Sequence, residues 1–232
     1  MLDEPALALF QKQWQLYRKV VEHNCLFHRE AYDCLHRVLI EEVVQPFRFL
    51  DVACGDAGVT VQALKGTQVA AYHGIDLSQP ALELASQALE ALACPVTLEQ
   101  RDFVEALGDQ PEPVDVVWIS LSLHHLQTPA KLTVMRQIRR LVGNRGRFLI
   151  YENASPDGED RAGWLRRWDD QRPGWIAFTP EECDAVTAHV HANDFPETIS
   201  GWQALGLEAG FGQVRELFVA PTDLFRVYCF RA

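Results

Sequence analysis

The stretch that most limits the fold is Phe49-Leu50-Asp51-Val52-Ala53-Cys54-Gly55-Asp56-Ala57-Gly58. A mostly apolar run with strand character runs straight into a turn crowded with small residues, and the pattern then becomes helical. Small side chains at the end of a buried strand let a ligand reach the backbone amides. The helix that follows presents its N-terminus to the same point. The alternative is a tight strand–helix connection with no ligand.

The rest of the 232-residue chain extends this unit. Residues 3–45 read as helices. Leu7, Phe10, Trp14, Tyr17 and Val21 recur at helical steps, and a second helix over about 29–44 carries Tyr32, Leu35, Val38 and Leu39 on one face until Pro46 ends it. Strands then fall at 47–52, 69–76, 96–102, 114–120 and 147–152, with helices over 57–66, 78–92 and 129–142. Ser78 is placed to cap the second of these helices. Residues 154–178, rich in Gly, Pro, Asp and Trp, break the alternation. Thr179-Pro180-Glu181-Glu182 then has the form of a capping box for a helix to about 189. A helix over 200–209 and two strands, 214–219 and 224–230, finish the chain. Buried strands separated by helices predict an α/β fold: a mostly parallel sheet between two helical layers, with a C-terminal antiparallel hairpin. In domain terms, residues 1–46 are a helical extension of a core at 47–232, and about 154–198 form a lid-like insertion.

The ligand of the turn is suggested by Asp76, in His73-Gly74-Ile75-Asp76-Leu77-Ser78 at the end of the second strand. A carboxylate there can accept both hydroxyls of a ribose, or it can cap the next helix. The dinucleotide fingerprint GxGxxG does not fit residues 53–58. An aspartate inside the turn also repels a pyrophosphate and suits a ligand with a cationic group.

Five segments in order resemble the class I S-adenosylmethionine-dependent methyltransferases. They are LDVACGDAG, GIDLS, EQRDF, VDVVWISLSLHHL and LVGNRGRFLIYE, and together they span roughly residues 47–152. Ala53 and Ala57 stand where many members have glycine. The resemblance implies a Rossmann-like, seven-stranded sheet with a reversed last strand. It implies S-adenosyl-L-methionine as cofactor and S-adenosyl-L-homocysteine as product. It places the donor against Asp51, Ala53, Cys54, Gly55, Asp76 and Leu77, with Ser120 and Leu121 at the fourth strand. Asp102 would receive the adenine amino group and Phe103 would border the ring.

An activated methyl on a sulfonium needs mainly positioning and exclusion of water, and an amine or hydroxyl acceptor can also need a base. Where nucleic-acid and protein N-methyltransferases of the family carry an (Asn/Asp)-Pro-Pro-aromatic motif, this chain has Ser120-Leu121-Ser122-Leu123-His124-His125. That favours a small-molecule acceptor, O- or N-atom or carboxylate. His124 and His125 are the candidate catalytic residues, as base or as acceptor-orienting groups; packing in the loop is their alternative. Trp164, Trp168, Trp175 and Phe178 can wall an acceptor pocket, or simply cap the sheet edge. His189 and His191 read as acceptor-recognising. With Asp194 and Glu197 they could hold a metal only if the helix has already ended, because residues two apart on a helix face different ways; no metal is assigned. Tyr17 or Tyr32 could close over the donor.

The formal net charge of −11 opposes binding to nucleic acid. Arg136, Arg139, Arg140, Arg145 and Arg147 read as the solvent face and C-terminal end of one helix. Six cysteines without a CxxC pair predict reduced thiols, and the acidic start and lack of a span-length apolar run predict a cytoplasmic protein with no membrane segment. The oligomeric state stays open, a homodimer included. A nicotinamide oxidoreductase and a non-catalytic S-adenosylmethionine-binding protein are the competing readings. Asp76→Ala is expected to weaken nucleoside binding strongly in a calorimetric titration; unchanged affinity would remove the ribose assignment.

Overall fold

A computed structural model describes residues 16–110 and 113–232. Residues 16–22 are helical (α1) and lead into α2, His28–Glu42. Leu7, Phe10 and Trp14, expected on the first helix, lie outside the described residues. The alternating core follows: β1 Phe47–Val52, α3 Gly58–Leu64, β2 Val69–Asp76, α4 Gln79–Leu89, β3 Val96–Gln100, α5 Phe103–Asp109, β4 Val116–Ser120, α6 Thr128–Val142 and β5 Arg147–Ser155. Then come α7 Arg161–Asp169, α8 Pro180–Asn193, β6 Glu197–Thr198, α9 Ile199–Glu208, β7 Gln213–Val219 and β8 Phe225–Arg231.

The sheet runs β3-β2-β1-β4-β5-β8-β7, with β3 to β5 parallel and β8 antiparallel to both β5 and β7. These are the seven strands and reversed hairpin expected. The two-residue β6 adds a short parallel pairing at the far end of β5. Strand period sorts the core into two layers. Phe49, Tyr72, Val116, Trp118 and Leu149 face α2, α3, α4 and α7, while Leu50, Ile75, Val117, Ile119 and Ile150 face α5, α6 and α9. All of β5 is buried, as a central strand covered on both sides must be. The chain turns outward from β1 to β2 and β3, then returns on the other side of β1 to β4. A crevice therefore opens at the carboxyl ends of β1 and β4.

Several expectations need correction. No helix was read between the third and fourth strands, yet Asp102 caps α5 through Val104 N–H (2.8 Å). With only seven residues, α5 is too short for a helical period to show. The breaker-rich stretch 154–178 holds a nine-residue helix, α7, capped by the Asp160 side chain at Gly163 N–H. The capping box at Thr179 and Glu182 is present, but α8 continues to Asn193. His189 and His191 therefore share a helix and point apart. Arg147 is not on the α6 surface: it is buried on β5, donating to the Glu42 carbonyl (2.7 Å). Arg139 and Arg140 do serve helix ends, donating to the carbonyls of Gly143 and Gly108 respectively. All six cysteines are free thiols, and no described helix is long and apolar enough to cross a membrane.

Gly146 shows how tightly α6 is joined to β5. A Cβ there would lie 2.6 Å from the Val142 carbonyl oxygen and 2.8 Å from that of Asp115, both backbone atoms that cannot yield. Gly146→Ala is expected to destabilise by about 1–3 kcal/mol. Gly174→Ala, with nothing within 4 Å, should be near neutral. Denaturant melts of both variants check the contrast.

Candidate active site

The turn after β1 is held in an unusual backbone state. Ala53, Gly55 and Ala57 all have positive φ, at 56°, 54° and 54°. Alternate left-handed residues curl the chain tightly, and alanine tolerates this at a modest cost that glycine avoids. That is why small residues stand at 53–58. Asp76 locks the curl from the next strand: Oδ2 accepts Gly55 N–H (2.9 Å) and Oδ1 accepts Ser78 N–H (2.8 Å). A carboxylate has further lone pairs, so both oxygens keep acceptor capacity. Beneath the turn, Asp51 is buried and accepts the Tyr72 hydroxyl (2.8 Å). Burial pushes its pKa up to about 7, against hydrogen bonds from Thr60 and Tyr72, and burial likewise raises Asp76.

A cavity of about 190 Å³ lies over this turn. Ala53, Cys54, Gly55 and Ser120 line it from the sheet, and Tyr17, His28 and Tyr32 from the N-terminal helices. Leu77, Asp102 and Phe103 stand outside it, at the carboxyl ends of β2 and β3. Leu77 and Asp102 are exposed, and Phe103 packs partly against the α5–α6 core.

A second cavity, about 560 Å³, opens beside the first, and Tyr17 lines both. Its walls are mainly apolar, with Leu121, Trp168, Trp175 and Phe225 among them. Leu121 also has positive φ (48°), a strained setting for a branched side chain at the end of β4. His124, His125, His189, Asn153 and Asp194 form the polar end. Three expected pocket residues are elsewhere. Trp164 is fully buried in the core, stacked on Trp168 at 5.8 Å, with its indole N–H toward the Leu224 carbonyl. His191 is half-exposed on the far side of α8, 2.9 Å from Asp169. Phe178 packs outside the cavity, under the Lys19 ammonium.

The polar end is organised by Glu152, which the sequence reading did not single out. This fully buried carboxylate accepts Ser122 N–H (2.7 Å), Leu123 N–H (2.6 Å) and His124 Nδ1–H (2.8 Å). Burial alone would raise its pKa; His124 and the two amides outweigh burial and hold it low. Against its own burial, His124 is raised by Glu152 and Asp194. His125 is lowered to about 4 by burial and by His124. Asp194 lies 3.7 Å from both His124 Nε2 and His125 Nδ1, and its Oδ2 accepts the Asn153 amide (2.8 Å). One signal for Glu152 was in the sequence: it closes the strand segment LVGNRGRFLIYE, where a charged residue ends a buried run.

Known proteins fit this geometry. Residues 49–146 match a family model described as "Methyltransferase domain". No curated protein matches the chain in sequence. Solved structures do match in fold. A possible exported protein from Bordetella parapertussis has TM-score 0.64 at 17% identity, covering 88% of this chain and 67% of that one. The mitomycin 7-O-methyltransferase MmcR has TM-score 0.60 at 17% identity, covering 94% and 60%. The magnesium protoporphyrin IX methyltransferase of Synechocystis PCC 6803, with bound SAH, has TM-score 0.62 at 13% identity, covering 97% and 95%. The chain thus spans about three-fifths of the mitomycin enzyme and nearly all of the porphyrin one. Residues 49–146 are a methyltransferase domain, and the sheet order and reversed last strand around it have the fold of the class I S-adenosylmethionine-dependent methyltransferases.

Proposed function

We propose that the enzyme transfers the methyl group of S-adenosylmethionine to an oxygen or nitrogen of a small, largely apolar molecule. The observation that carries this reading is the pair of cavities meeting at Tyr17. One sits on the small-residue turn and the other ends in a histidine-rich edge. On this reading Asp76 takes the ribose hydroxyls, and Ala53, Cys54 and Gly55 receive the donor over Asp51. Leu77, Asp102 and Phe103 flank the adenine, and Ser120 and Leu121 stand near the sulfonium. His124 and His125 hold the acceptor atom, and Trp168, Trp175 and His189 wall it in. Trp164 and His191 support that wall from behind rather than touching the acceptor. Residues 16–26 close over both reactants.

The acceptor lone pair attacks the methyl carbon as the carbon–sulfur bond breaks, and the neutral thioether leaves. Positioning and dryness therefore count for most. Among the described residues lining the acceptor cavity there is no lysine or arginine, and Asp194 is there. That disfavours an anionic acceptor such as a carboxylate. Acceptors of the named neighbours include mitomycin and magnesium protoporphyrin IX, both large ring systems. A cavity lined by Trp168, Trp175 and Phe225 is consistent with a ring-bearing acceptor here as well.

Thermal stabilisation by S-adenosylmethionine and S-adenosylhomocysteine, beside NAD and NADH, tests the donor. A shift with the first pair alone is expected; a shift with the nicotinamides instead would overturn the reading. The donor's charge supplies a second test. In the free protein Asp51 takes up a proton as pH falls through about 7. A cationic donor favours the ionised form, so binding below that pH must first expel the proton. Affinity for S-adenosylmethionine should thus fall as pH drops from 8 to 5.5, by up to about tenfold per unit below 7. S-adenosylhomocysteine, without the sulfonium charge, should show a shallower slope, and Asp51→Asn should flatten both in calorimetric titrations.

A further inference from the structure

The polar end of the acceptor cavity has the makings of a metal centre. His124, His125 and Asp194 each offer one ligand atom, all within 4.8 Å of one another. Asp194 Oδ1 is buried and has no hydrogen-bond partner, and it faces both imidazoles at 3.7 Å. Zinc held tetrahedrally by nitrogen and oxygen at about 2.1 Å places its ligands about 3.4 Å apart. The two Asp194 legs therefore need to shorten by only a few tenths of an ångström. His125 is the exposed member and supplies the remaining movement, giving up the contact of its Nδ1 with the Asn193 carbonyl (3.3 Å).

The supporting contacts are those a metal site requires. His124 Nδ1–H is fixed on the Glu152 carboxylate, which leaves Nε2 toward Asp194 as the ligating atom. Asp194 Oδ2 is held by the Asn153 amide, which leaves Oδ1 free to ligate. Glu152 is itself fixed by two backbone amides. Two buried carboxylates thus converge on the imidazoles, while the nearby Lys131 ammonium is engaged by Glu197 and the Phe195 carbonyl. Two histidines and one carboxylate suit zinc and its first-row neighbours better than magnesium or calcium.

We propose that His124, His125 and Asp194 bind one divalent first-row transition metal, zinc being the best match, with its open positions facing the acceptor cavity. Binding of the metal stands on this geometry alone. Its use as an anchor for the acceptor oxygen or nitrogen rests on the reading of the cavity given above.

The test is a titration of the full chain, stripped with a chelator, with cobalt(II) and with zinc in competition with a chromogenic chelator. One equivalent should bind, and the cobalt spectrum should show nitrogen and oxygen ligation without a thiolate charge-transfer band. That band separates the site from the six free cysteines. Asp194→Asn and His124→Ala should each weaken binding about 100-fold or more. His125→Gln, at an exposed position, gives the same reading if either buried variant melts early. No stoichiometric binding, or binding indifferent to all three substitutions, would overturn the proposal. Thermal stabilisation of the metal-free chain by S-adenosylhomocysteine is read alongside. A donor shift without metal binding sinks the metal site alone, and metal binding without a donor shift sinks the methyl-transfer reading alone.

Discussion

The hydrogen bond from Gly55 N–H to Asp76 ties two parallel strands together at their carboxyl ends, and the small-residue turn hangs on it. Parallel strands cannot be joined by a hairpin, so β1 and β2 meet through their ladder, the Tyr72–Asp51 hydrogen bond and this clasp. The clasp lets three residues of the turn stay left-handed while Asp51 stays buried below. Its cost is visible in the electrostatics. Asp51 is fully buried and Asp76 half-buried beside a cavity, and burial raises both pKa values. A fold that keeps such groups gains nothing in stability from them. A cationic ligand in the cavity converts the cost into affinity.

The acceptor side has a separate organiser. Glu152 sits in the C-terminal half of the most buried strand and fixes the backbone of residues 122 and 123 together with the His124 ring. The loop after β4 is thereby tied to β5, although it is irregular and lines a cavity. Leu121 enters that loop with positive φ, a strain that the surrounding hydrogen bonds hold in place. The two cavities are thus organised by two different carboxylates on two different strands.

The sheet was legible because its signals are redundant. Apolar strands, small-residue turns and caps at Ser78 and Thr179 all agreed, and the strand limits at 69–76 matched. What failed was local or long-range. Helix α5 has too few residues to show a period, and α7 was hidden by the Gly, Pro and Asp around it. Trp164 and Trp168 are four residues apart in one short helix, so both were read as pocket wall. Only the packing shows that the first is core and the second lines the cavity. The histidine pair of interest also changed. His189 and His191 lie on one helix, whereas Asp194, just past its end, meets His124 and His125 from a loop about 70 residues earlier. No spacing rule reaches across that gap.

The wall shared by the two cavities is not part of the sheet. Tyr17 belongs to a helix seated on the α7–α8 region, where Val20 packs with Phe178 and Cys183 and Lys19 pairs with Glu182 at 2.6 Å. The Tyr151 hydroxyl pins the same segment from below, at the Leu26 carbonyl. Most of the larger cavity's wall is therefore carried by two peripheral segments, residues 16–26 and 161–194, braced against each other, while Leu121, His124, His125, Asn153 and Phe225 come from the sheet and its loops. The donor turn and its clasp are carried by strand ends. On the proposed reading, the peripheral pair that walls the acceptor can vary together, as a lock and its plate, while the β1–β2 clasp under the donor stays as it is, Tyr17 being the one described residue that lines both cavities.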